Sequence, residues 1–216
     1  MTSSQVFAWL LITVHALLVL FGLVRWRQLD TGCRYTWIWG LFGLITRYLN
    51  ISLHVPTDRL VVSHFYYPVS AVLATLALAP YQQTRRDADA VRLAGLGYVA
   101  VWAIITPLFE DIRTFSVFTA PLRAALIAII AIRTISVARK RIAHPWYDDR
   151  GILIAAAFAL LYTATGITSP WAASNHTTNV ALIRPLLLWR DVVVLIAMVP
   201  MLWAFLLHVP APEGEQ

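Results

Sequence analysis

The run from Arg184 to Leu207 constrains this chain more than any other stretch. It is long and apolar enough to cross a bilayer, since about 20 residues at a ~1.5 Å rise span a hydrocarbon core roughly 30 Å thick. Yet it carries Arg190 and Asp191 near its start and Pro200 further along. Ionisable groups at membrane depth are costly unless they face protein or a water-filled cavity and find partners there. A segment of this kind therefore requires other helices around it.

The sequence supplies six more apolar segments. The full set is expected at about 5–24, 35–55, 60–80, 91–109, 115–133, 151–169 and 185–207. The expected fold is an all-α integral membrane bundle of seven transmembrane helices, forming a single domain over residues 1–216. Short loops make consecutive helices antiparallel neighbours. Composition agrees: 59% of residues are hydrophobic and 13% charged, where soluble domains have roughly 45–50% and about 25%. No soluble domain remains to read a nucleic-acid groove, so the net charge of +6 does not indicate a nucleic-acid partner.

The basic residues lie instead in alternate loops. Arg25, Arg27 and Arg34 flank the first loop, Arg85, Arg86 and Arg92 the third, and Arg133, Arg139, Lys140, Arg141 and Arg150 the fifth. The even loops hold Arg59, Arg113 and Arg184. Basic loops stay cytoplasmic, which predicts an outside N-terminus and an inside C-terminus with its acidic Glu213 and Glu215. The N-terminal segment has no basic region and no small-residue cleavage site, so it is expected to remain as a helix. Of the 17 basic residues only Lys140 is lysine, a bias that resembles GC-rich bacterial or phage coding, and a bacterial cytoplasmic-type membrane is the expected location. A weak internal similarity, Val6-Phe7 leading to Arg25 and Val117-Phe118 leading to Arg133, does not extend into the following helices.

Cys33 is the sole cysteine, which excludes intrachain disulfides and dithiol chemistry. The chain has no Gly-x-Ser-x-Gly, no His-Glu-x-x-His and no phosphate loop, so no enzymatic activity and no cofactor are expected. Seven helices with an outside N-terminus resemble the rhodopsin arrangement, but the only lysine falls in a loop, where it could not carry retinal. Haem ligation by two histidines is disfavoured because His15 and His64 lie at different depths. His54, His144, His176 and His208 fall at interfaces or in loops.

Arg47 is the clearest anomaly, standing midway between Arg34 and Asp58 and so well inside the hydrocarbon. Arg123 is likewise surrounded by apolar sequence. Direction of travel places Arg47 and Asn50, His64 and Tyr67, Arg123, and Arg190 with Asp191 in the outer halves of their helices. These seven residues form the expected ligand site, a net-positive pocket open to the outside. Asp191 is expected to pair with Arg47 or Arg123 rather than with Arg190, because adjacent residues on a helix do not share a face. Pro68, Pro107, Pro121 and Pro200 are expected to break helices near the site. The function this implies is handling of a small polar or anionic solute or ion, by a transporter or channel. The alternative is a non-catalytic or sensory subunit that works with a membrane-protein partner or as a homo-oligomer. Membrane lipid is a partner in either case.

Overall fold

The structure, a computed structural model, describes residues 3–53, 55–140, 145–175 and 180–207. His54, His144, His176, His208 and the acidic C-terminal residues lie outside the described residues. Seven long helices carry the chain: α1 (Ser3–Val24), α2 (Thr31–Ser52), α3 (Pro56–Leu78), α4 (Arg85–Phe109), α5 (Thr119–Arg139), α6 (Arg150–Asn175) and α7 (Val180–Leu206). Single 3-10 turns at Trp26–Gln28, Ala79–Tyr81 and Trp146–Asp148 sit in the connections α1–α2, α3–α4 and α5–α6, all on one end of the bundle.

Local chemistry sets the helix starts. The Asp30 carboxylate accepts from the Cys33 amide at 2.8 Å and caps α2. Pro56 opens α3, where its missing N–H and fixed φ do no harm. Thr84 caps α4 by accepting from the Asp87 amide at 3.0 Å, while its hydroxyl donates to the Asp87 carboxylate at 2.8 Å. Asp149 accepts from the Ile152 amide at 2.8 Å at the start of α6. These caps explain why α4 begins at Arg85 rather than near 91. Hydropathy marks where hydrocarbon begins, whereas a capped helix continues into the headgroup layer.

The expected proline breaks are not found. Pro68 and Pro200 lie inside unbroken α3 and α7, and Pro107 within the last turn of α4. Pro121 falls in the first turn of α5, where its missing N–H leaves no intrahelical bond unmade.

Six helices close a ring. The packed neighbours run α1–α2, α2–α3, α3–α5, α5–α6, α6–α7 and back through α7–α1, while α4 packs mainly on α3. Small residues allow the close approaches: Ala71, Ala74 and Ala77 on α3, Ala124 and Ala131 on α5, and Ala155 and Ala157 on α6 are all buried. At α3–α4 a Cβ on Gly95 would stand 2.1 Å from the Thr75 hydroxyl, so any larger residue there would have to displace the Thr75 side chain. The larger core side chains include Trp39, Ile127, Phe158, Met198 and Phe205. The α6 span is 61% buried, against 22% for those of α1, α4 and α7, which present large apolar side chains such as Leu20, Leu96, Ile104 and Ile196 outward.

Six of the seven helices are long and apolar enough to cross a membrane. The exception, α2, has the length but carries Arg34, Arg47 and Asn50, and it packs against α1, α3, α6 and α7. The chain is a multi-pass α-helical membrane protein, and α2 takes its place in the same ring with part of its surface outward.

On the end that carries the 3-10 turns, Arg25 and the first residue of α6, Arg150, hold the last helix. Arg25 donates to the carbonyls of Phe205, at 3.2 Å, and Leu206. Arg150, 7% exposed, donates to the carbonyls of Gln28, at 3.0 Å, and Leu207. Guanidiniums at a helix C-terminus satisfy orphan carbonyls and the negative end of the dipole together.

Candidate functional site

A cavity of ≈ 210 Å³ lies inside the ring and is lined by every ring helix. It includes His15 from α1, Trp39, Gly43, Arg47 and Asn50 from α2, Ser63, Tyr66 and Tyr67 from α3, Arg123 from α5, Tyr162, Thr165 and Ser169 from α6, and Arg190 from α7. Three guanidiniums therefore border one space, and each has a different environment.

Arg123 is 4% exposed and caged. Its guanidinium carbon lies 4.4 Å from the ring centre of Tyr67, 5.4 Å from Tyr162 and 5.5 Å from Tyr66. Its Nη1 donates to the Ser70 hydroxyl at 2.7 Å, and that hydroxyl in turn donates to the Tyr67 carbonyl at 3.0 Å. Aromatic faces stabilise a desolvated cation without a carboxylate. Its Nε is buried with no partner among the described residues.

Arg190 pairs with its neighbour Asp191, its Nη2 and Nε reaching the same carboxylate oxygen at 2.9 and 3.2 Å. The expected Asp191 pairing with Arg47 or Arg123 is thus not found. Adjacent Cβ atoms do point apart, but the flexible arginine stem folds back far enough to bring its charge to the carboxylate. The side chains are 34% and 19% exposed.

Arg47 has no carboxylate within 4.0 Å and no hydrogen-bond acceptor among the described residues. One turn further on, the Asn50 side-chain oxygen is buried without a partner. Arg47 and Asn50 also border a second space of ≈ 250 Å³ with Ala8, Ile51 and Arg59. Arg59 is itself engaged, its Nε and Nη2 donating to the Leu53 carbonyl at 2.9 and 2.7 Å.

Of the seven expected site residues, Arg47, Asn50, Tyr67, Arg123 and Arg190 share the ring cavity, whereas His64 and Asp191 are not in its lining. His64 is buried, with its Nε2 3.0 Å from the Thr114 carbonyl, tying α3 to the α4–α5 connection. The lining also brings in residues outside that set, chiefly His15, Trp39, Tyr66 and the α6 face. One signal for α6 was present: Tyr162, Thr165 and Ser169 recur at helical spacing within an otherwise apolar run. Deep in the cavity the Trp39 indole donates to the Tyr162 hydroxyl at 3.1 Å.

Glu110 lies apart from the cavity and organises the α4–α5 connection. One oxygen accepts from the Ser116 hydroxyl at 2.8 Å and the amides of Phe118 and Thr119 at 2.6 and 3.0 Å, and the other from the Thr119 hydroxyl at 2.6 Å. Burial alone raises its pKa, but these donors outweigh burial and hold the carboxyl below the ordinary glutamate value.

The fold and cavity define a polytopic α-helical membrane protein with a polar, cationic interior. Compared with protein-family models, curated proteins and solved structures, the chain matches none.

Proposed function

We propose that the ring cavity binds a small anion and that the protein conducts or transports it across the membrane. The observation that carries this reading is the unpaired Arg47. Three arginines border the cavity, and the carboxylate of Asp191 beside them is engaged by Arg190. A guanidinium in low dielectric without a counter-charge is unfavourable unless it is solvated or paired. An anion seated between Arg47 and Arg190 would supply that charge, and Asn50 with the hydroxyls of Ser63, Thr165 and Ser169 offers further polar contacts. The volume suits a ligand of a few heavy atoms, since one water occupies about 30 Å³ of liquid.

Arg47, Asn50, Ser63, Arg123, Thr165, Ser169 and Arg190 belong to the halves of their helices remote from the 3-10 turns, His15, Trp39 and Tyr162 lie near mid-helix, and Arg25, Arg27, Arg85, Arg86, Arg139 and Lys140 cluster at the other end. With that basic end cytoplasmic in a bacterial membrane, the cavity faces outward. The test is anion-dependent stabilisation of the purified protein in detergent, wild type against Arg47→Gln, which removes the charge and keeps a polar side chain.

A further inference from the structure

At the deep end of the cavity the surroundings change from cationic donors to a hydrogen-bond acceptor. His15 is 2% exposed, and its Nδ1 lies 2.8 Å from the Leu11 carbonyl of its own helix. A carbonyl can only accept, so in the neutral ring Nδ1 carries the proton and Nε2 presents a lone pair. No side chain among the described residues donates to that nitrogen. Space is left beside it by Gly43. An added Cβ there would stand 3.3 Å from His15 Cδ2, 3.5 Å from His15 Nε2 and 3.8 Å from the Tyr66 hydroxyl oxygen. All three residues line the cavity that Arg47 and Arg190 enter.

We propose that this notch reads a hydroxyl on the bound anion, so that the ligand is an oxyanion carrying its own hydrogen-bond donor, such as hydrogen phosphate or a small 2-hydroxy-carboxylate. This rests on the anion-binding reading of the same cavity. The anionic oxygens face Arg47 and Arg190, while the ligand O–H donates to His15 Nε2 and its oxygen can accept from Tyr66. An anion of the same shape and charge without the proton sets oxygen lone pairs against the nitrogen lone pair and leaves a buried acceptor unsatisfied. Sites built around one hydrogen-bonding group reject analogues lacking it far more strongly than apolar pockets reject a change of size.

The experiment is calorimetric titration of the full-length protein in detergent with two matched pairs: inorganic phosphate against sulfate at mildly alkaline pH, where both are dianions, and lactate against propionate. The donor-bearing member of at least one pair should bind about tenfold tighter or more. In His15→Phe, which keeps an aromatic ring and removes the acceptor, that ratio should fall to near one. Gly43→Ala fills the notch, should lower the ratio likewise, and serves if His15→Phe does not fold. Equal binding within both pairs by the wild type, or a preference that survives both substitutions, overturns the donor-reading notch and leaves the anion site standing. No binding of any of the four overturns both.

Discussion

The three cavity arginines show how differently one side chain can be accommodated inside a membrane. Arg123 is satisfied by tyrosine faces and one hydroxyl, Arg190 by the carboxylate next to it, and Arg47 by no protein group described. Their substitutions should differ accordingly. Arg123→Lys replaces a planar, weakly hydrated cation by a compact, strongly hydrated one and should destabilise the fold by about 1–3 kcal/mol. Arg47→Gln should change unliganded stability by no more than about 0.5 kcal/mol, because it breaks no pairing. Unfolding midpoints in detergent, measured without added anion, check both; a large loss in Arg47→Gln would mean that Arg47 is structural. Arg47 was legible as an anomaly from its central place in an apolar segment. The arginine partners were not, because a stem that folds back and a cage drawn from α3 and α6 depend on side-chain reach and helix adjacency rather than on spacing along the chain.

At the level of elements, the apolar runs located all seven helices, but their ends follow capping chemistry. Helix α5 begins at Thr119 rather than near 115 because Glu110 holds residues 116–119 in a turn. That carboxylate has a lowered folded pKa, so its stabilisation is fully present above the unfolded glutamate value of about 4.3 and is lost as pH falls through the lower folded value. The wild-type melting midpoint should therefore decline across that acidic window. In Glu110→Gln the midpoint should start lower at neutral pH and decline less, and parallel curves for the two proteins would contradict this role. The cavity-lining face of α6 is harder to read in the sequence for another reason. Tyr162, Thr165 and Ser169 recur at helical spacing but are only mildly polar, so their contrast with the apolar remainder of the helix is weak.

Across the whole molecule, polarity is graded from a basic end, where Arg25 and Arg150 hold α7, to an interior cavity with unpaired polar groups on its lining. Ring closure is what assembles the site, since Arg47 on α2, Arg123 on α5 and Arg190 on α7 are distant in sequence. Reporter fusions after Arg86 and after Lys140 should both read cytoplasmic, and an external signal at either would reverse the orientation of the cavity. The most direct measurement is the melting midpoint of the purified protein against concentration of phosphate, sulfate, lactate and propionate, for wild type and Arg47→Gln. Binding to the folded state alone adds about 2.7 kcal/mol at a ligand concentration 100 times Kd. The wild-type midpoint should rise steadily with at least one of these anions, and the Arg47→Gln midpoint should stay flat over the same range. A flat response to all four in the wild type, or an equal rise in both proteins, would contradict an anion site at Arg47.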